Sequence, residues 1–232
     1  MSNPAAKVKL PRKVKYRANF YTKGELNDLC KALTGTKLEV PVILAGWFGL
    51  SRGEVIGLRW DAICYEAETL SVTGTVTNKG SGKPAENEVY RPKEAKRESR
   101  IRSFPLSEQQ IRYLKSIQQK QAENRLLAGN SYNTEYLDFV CVDKMGDRLH
   151  LDYVTASFPD TLKKLGLRSI RFHDLRHTNI SLLLEKGHNM KDLQAWAGHA
   201  QLSTTADTYS HIQAKAKQKL TNSMSDILCV NC

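Results

Sequence analysis

Apolar residues recur at helical spacing over much of this chain, and the breaks in that pattern mark out its elements. Thr22 stands three residues before Glu25, a capping-box signature that opens a helix to about Leu33. Over residues 39–58 the spacing of Val40, Ile43, Leu44, Trp47, Leu50 and Val55 fits a buried helix better than a strand, with Gly46 and Gly49 working against it. Residues 69–76 are rich in β-branched side chains and alternate, which predicts a strand. Residues 77–88 form a loop rich in Gly, Lys and Asn. Residues 100–106 then predict a returning strand, completing a small antiparallel sheet with a basic, extended turn.

Ser107 opens a helix with Ile111, Leu114 and Ile117 on one side. Residues 128–150 are an irregular connection with a short strand at 139–142 and a turn at Gly146. Asp152 is expected to cap the next helix, whose Val154, Phe158, Leu162 and Leu165 share a face and which Gly166 ends. Helices follow from about Asp174 to Lys186 and from about Met190 to Ala197, stopped by Gly187 and Gly198. Residues 213–228 carry Leu220, Met224, Ile227 and Leu228 on one stripe, a helix that needs a partner surface. The predicted fold class is mainly α with a small antiparallel β-sheet, that is, α+β. Its parts are a basic segment at 1–19, a main domain at 20–211 and a C-terminal helix and tail at 212–232.

The charge balance narrows the partner. With 35 Lys and Arg against 24 Asp and Glu, the 232-residue chain has a net charge of +11. That excess suits a polyanion, most simply nucleic acid, although a basic protein kept soluble by self-repulsion has the same balance. Lys7, Lys9, Arg12, Lys13, Lys15 and Arg17 form a block without acids, either a solvated tail or an arm that touches DNA. No N-terminal signal sequence and no membrane-length apolar run are present, so a soluble, cytoplasmic chain is expected. Cys30, Cys64, Cys141, Cys229 and Cys232 are odd in number and scattered, which argues against a disulfide framework. Cys229 and Cys232 have a metal-like spacing, but no second Cys/His pair completes a site.

One window concentrates the chemistry. His173 and Arg176 sit one helical turn apart, His199 follows in Ala-Gly-His, and Tyr209 comes shortly after. A tyrosine that attacks a phosphodiester needs cationic donors for the non-bridging oxygens and an imidazole to handle its proton. His173 and His177 also superficially resemble the paired histidines of a zinc protease. A cation at Arg176 on the same turn would repel a metal, so no metal is expected there. His177 is expected to pack behind the site, and His150, His188 and His211 to lie at the surface or in local hydrogen bonds.

At His-Asp-Leu-Arg-His, Ala-Gly-His and the later Tyr, the chain resembles the tyrosine recombinase (phage integrase) family over residues 20–225. It is most similar there to integrases of Gram-positive mobile elements. The resemblance implies a helical catalytic domain with a small sheet, shared with type IB topoisomerases. It implies that arm- and core-binding domains would precede residue 20, leaving a catalytic fragment with 1–19 as linker. It also implies DNA breakage and rejoining with no cofactor, through a 3′-phosphotyrosyl bond at Tyr209. In that scheme Arg176 holds the scissile phosphate, His173 assists proton transfer and His199 donates to a non-bridging oxygen. Counting back from Phe104-Pro105-Leu106, Lys96 matches the general-acid lysine best and Lys93 second, with solvated turn lysines as the plain reading of both. Arg52, Lys93, Arg97 and Arg100 are expected DNA contacts. The expected partners are double-stranded DNA and further copies of the chain, dimer to tetramer, joined through residues 213–228.

The pattern breaks at one position. The family motif Gly-Leu-Arg-x-x-Glu reads Gly49-Leu50-Ser51-Arg52-Gly53-Glu54 here, so the first catalytic arginine falls on Ser51. Arg52 is one residue late, a turn of about 100° on a helix, and is expected on a different face. Losing one donor to a developing oxyanion costs about 10²–10³ in rate, whereas losing one of many phosphate contacts lowers the salt slope by about one unit. DNA binding is therefore expected to survive while cleavage is slow. The alternative is a catalytically inactive DNA-binding relative that acts by occupancy or assembly.

Overall fold

The apolar run after residue 38 becomes the central helix, but it does not continue as far as the spacing suggests. In the computed structural model, which describes residues 19–78, 88–92 and 101–198, helix α2 (Glu39–Phe48) buries Pro41, Val42, Leu44, Ala45 and Phe48. It stops at Gly49, whose left-handed backbone (φ 62°) satisfies the helix end through its N–H to Ala45 O at 3.0 Å. Ser51 is extended and caps a separate short helix, α3 (Arg52–Ile56). The single helix expected over 39–58 is thus two helices, because the left-handed turn redirects the chain between them.

Helix α1 (Lys23–Ala32) begins with the expected capping box, Thr22 N–H donating to the Glu25 carboxylate at 2.7 Å. Arg168 also grips that carboxylate at 2.8 and 3.0 Å, and this hydrogen bonding holds the Glu25 pKa down to about 2. Strand β1 (Ile63–Cys64) pairs with β2 (Thr69–Ser71), and β2 pairs with β5 (Ser103–Pro105) in register Leu70↔Phe104, making a three-stranded antiparallel sheet. The strand expected over 69–76 is split in two. After Ser71 the chain leaves this sheet and forms β3 (Gly74–Asn78), which pairs antiparallel with β4 (Glu88–Pro92), a strand the composition of 77–88 concealed. Among the described residues of the returning segment, 101–106, only 103–105 are strand.

The remaining helices are α4 (Glu108–Ala128), capped by Ser107, α5 (Leu151–Lys164), α6 (Asp174–Glu185) and α7 (Met190–Ala197). His150, not Asp152, is the N-cap of α5. Asp152 lies inside the first turn, where its charge still suits the positive end of the helix. The short strand expected at 139–142 is reduced to isolated bridges, Arg59↔Phe139 and Val142↔Arg148. Gly166, Gly187 and Gly198 adopt left-handed φ values of 65°, 95° and 65° at the ends of α5, α6 and α7. No helix among the described residues is long and apolar enough to cross a membrane. The stripe at 213–228 lies outside the described residues.

Phe48, Leu50, Ile56, Leu70, Phe104, Leu114, Phe158 and Leu175 meet in one core that joins α2, α3, the three-stranded sheet and α4 to α6. Two close approaches set the angle of α3 against the β3–β4 hairpin. A Cβ on Gly53 would lie 2.4 Å from Val76 O, and one on Gly57 would lie 3.0 Å from Val76 N. Gly53→Ala gains about 1 kcal/mol of helix propensity but must push a backbone carbonyl aside. The expected result is a net loss of about 1–3 kcal/mol in urea unfolding, and an unchanged or higher midpoint would refute this packing.

Candidate active site

The turn that starts α6 leaves His173 at the surface and sends Arg176 into the protein. Arg171 N–H donates to Asp174 Oδ2 at 2.9 Å and the Arg171 guanidinium donates to both Asp174 oxygens, so a fully buried carboxylate locks this turn. Further along α6, Asn179 donates to the last carbonyls of α2, Gly46 O at 2.8 Å and Trp47 O at 3.0 Å. It also accepts from the Trp196 indole on α7 at 3.1 Å. One amide therefore ties α2, α6 and α7 together. Gly49 is the close point of this junction, since a Cβ there would stand 3.0 Å from Asn179 Oδ1.

Arg176 is buried between these elements. It donates to Gly49 O at 2.9 Å and to Ala197 O, and lies 3.8 Å from Glu54 Oε2. Ser51 donates both its N–H and its hydroxyl to the same Glu54 oxygen at 2.9 Å. Ser51, Glu54, Arg102, His173, Arg176 and Trp196 all line one open cavity of about 1380 Å³. Two guanidinium groups, one carboxylate and an imidazole on the wall of an open cavity suit a monoanionic ester that reacts with proton transfer.

The outer face of His173 reaches solvent, while its ring packs edge-on against His177 at 5.3 Å between centroids. Burial, and then the Arg176 charge, hold the His173 pKa below its ordinary value, so at neutral pH the ring is neutral and able to accept a proton. Burial, with the neighbouring His173, pushes His177 from 6.5 down to about 4. Its unfolded form takes up a proton below about pH 6.5 that the folded form refuses until about pH 4. The stability His177 contributes is therefore complete above pH 6.5 and falls as the pH drops toward 4. After allowance for partial exposure, we expect His177→Gln to flatten the stability profile across this window by about 1–2 kcal/mol in urea titrations. An unchanged slope would place the acid sensitivity elsewhere.

Of the residues expected from the sequence, the fold brings Ser51, His173 and Arg176 to one cavity. Arg52 points elsewhere, donating to Leu151 O at 3.4 Å and to Thr155 Oγ1 on α5. Ser51 and Arg52 do lie on different sides, but because Ser51 precedes α3 as its cap rather than because both ride one helix. Tyr209, His199, Lys93, Lys96, Arg97 and Arg100 lie outside the described residues. The sequence reading missed Arg102, which reaches Glu54 Oε1 at 2.7 Å, and missed Asn179. One signal for Arg102 was available. It immediately precedes β5, two positions before the buried Phe104, and at extended spacing it faces inward on the same side.

Residues 22–216 match the sequence profile of the phage integrase family. A XerC-like tyrosine recombinase of Caldanaerobacter subterraneus is 27% identical over 218 residues, covering 93% of this chain and 56% of that protein. A tyrosine recombinase XerC of Staphylococcus aureus is 27% identical over 224 residues, covering 94% of this chain and 65% of that protein. The chain thus spans somewhat over half the length of these relatives. Among solved structures, the Tn1549 transposon integrase in complex with transposon right end DNA superposes with a TM-score of 0.71 at 18% identity, over 95% of this chain and 69% of that one. XerA recombinase superposes with a TM-score of 0.62 at 19% identity, over 95% and 70% respectively. At these identities the superpositions establish a shared fold.

Proposed function

Because this chain belongs to the phage integrase family, we propose that it breaks and rejoins double-stranded DNA through Tyr209, at a rate limited by the serine at position 51. The observation that supports this reading most directly is the placement of His173, Arg176 and Ser51 around a single cavity. Arg176 holds a non-bridging oxygen of the scissile phosphate, and His199 donates to another. His173, neutral at physiological pH, takes the proton of the Tyr209 hydroxyl as its oxygen attacks phosphorus. The 5′-oxygen leaves with a proton from Lys96, or from Lys93 if that lysine is the nearer. The 3′-phosphotyrosyl ester conserves the energy of the broken bond, so attack by a 5′-hydroxyl reverses the steps and rejoins the strand without a nucleotide.

Lys93, Arg97 and Arg100 flank the reacting phosphate as backbone contacts, adding to the salt-dependent affinity of a +11 chain. Several copies assemble on DNA, dimer to tetramer, with the apolar stripe at 213–228 of one docking on the next. Such a protein works in the cytoplasm, where bacterial DNA lies. The hydrogen bonds of Ser51 to Glu54, which fill the motif position without adding a charge, favour a second reading. In it the chain binds DNA and has given up the chemistry.

Nicked duplexes of randomised sequence, incubated with the chain and resolved on a denaturing gel, separate the two. A covalent adduct that Tyr209→Phe abolishes establishes strand cleavage. DNA retardation without an adduct, even with Ser51→Arg, leaves the binding function.

A further inference from the structure

The second buried arginine of the cavity has no part in the chemistry above. Arg102 and Arg176 are only 8% and 7% exposed, and both lie on Glu54. They do not share it equally. Arg102 Nη2 is 2.7 Å from Oε1, whereas Arg176 Nη1 is 3.8 Å from Oε2, where the Ser51 N–H and hydroxyl already donate at 2.9 Å. Arg102 also donates through Nη1 to Trp196 O and Ala197 O, both at 3.0 Å, capping terminal carbonyls that α7 itself leaves unpaired. Its guanidinium lies 5.5 Å from the centre of the Phe104 ring. Gly198 leaves room for it, since a Cβ there would stand 2.7 Å from Arg102 Cδ.

We propose that Arg102 is a positioning residue for phosphate capture: by occupying Glu54 it keeps that carboxylate from neutralising Arg176. This rests on the reading of the cavity as a phosphodiester site. Two guanidinium groups and one carboxylate leave a local charge of one positive unit, matched to one phosphodiester. Without Arg102, Glu54 has one cation within reach in this cluster, and the pair sums to zero. An arginine at position 51 would supply such a second charge, and in this chain Arg102 brings it from the sheet instead.

The test uses the full chain with Arg102→Met, Arg102→Lys, Glu54→Gln and the double variant Arg102→Met with Glu54→Gln. The first readout is the titration of the His173 imidazole by NMR, assigned with His173→Gln. Among the described residues, the charged and titratable groups around that ring are Arg176, Asp174, Arg171, Glu54 and His177. The second is the salt dependence of binding to a random-sequence duplex.

Arg102→Met is expected to raise the His173 midpoint toward 6.5, as Glu54 closes on Arg176, and to lower the salt slope by about one unit. Adding Glu54→Gln restores both, and Arg102→Lys falls between. Glu54→Gln alone, which keeps every cation, is expected to lower the midpoint further and steepen the slope by about one unit. It carries the test by itself if Arg102→Met does not fold. The proposal is overturned if Glu54→Gln, or a folded Arg102→Met, leaves both readouts at the parental values. The His173 titration needs neither DNA nor turnover. Failure of the recombinase reading would appear only as a missing Tyr209 adduct, and failure of the Arg102 role only as an unmoved titration.

Discussion

Ser51→Arg is expected to accelerate formation of the Tyr209-dependent adduct by about 10³-fold, in the range that a preorganised cation contributes to phosphoryl transfer. The backbone at position 51 is extended and its side chain lines the cavity beside Glu54, so a longer side chain there enters the space that Arg176 and His173 border. Loss of the serine hydroxyl contact should lower stability by about 1 kcal/mol. The 2.9 Å bond from the residue 51 backbone N–H to Glu54 does not depend on the side chain. Single-turnover trapping on nicked DNA, with Tyr209→Phe in the same background as control, measures the gain. An unchanged rate with unchanged DNA affinity would mean that the serine is not what limits cleavage.

The second large effect lies at Arg176. Its guanidinium holds Gly49 O at 2.9 Å and Ala197 O, so it joins the end of α2 to the end of α7 as well as facing the cavity. Arg176→Met leaves those buried carbonyls without this donor and Glu54 with one cation fewer. The expected loss is about 3–5 kcal/mol in urea unfolding, together with disappearance of the adduct. Because such a protein is poorly folded, Arg176→Lys is the informative variant. It keeps a charge but cannot span two carbonyls and a phosphate with one planar fork. Measured in the Ser51→Arg background, where the parental rate is high, it should react at least about 10²-fold more slowly with a smaller loss of stability. A lysine variant that reacts at the parental rate would remove Arg176 from phosphate binding.

The two residues were legible in the sequence to different depths. Arg176 belongs to a motif confined to one turn of one helix, where spacing alone places His173 and Arg176 close together. The glycines at 166, 187 and 198 were equally legible, because a left-handed helix end selects the residue without a side chain. The break between α2 and α3 was less so. Leu50 and Val55 keep the apolar spacing across it, and although Gly46 and Gly49 both weaken the helix, local pattern does not show which of the two turns left-handed. Strand β4 was hidden for a related reason. Its partner is β3, and a pairing between segments separated by a polar loop leaves no periodic trace in either one.

Local spacing along the chain was thus enough to establish α1, α4, α6 and α7 with the Thr22 and Ser107 caps and the glycine stops, the family motif, and the serine where an arginine is expected. Those features depend on residues within one or two turns of each other, where backbone geometry leaves few alternatives. The charge arrangement of the cavity was decided only by the tertiary fold. Glu54 on α3, Arg102 beside β5 and Arg176 on α6 meet through contacts 48 to 122 positions apart, and the carboxylate's choice between its two cations is a difference of 2.7 against 3.8 Å. A distance of that size is set by how closely helices pack, through the absence of a Cβ at Gly49, Gly53 and Gly198, and no periodicity encodes it.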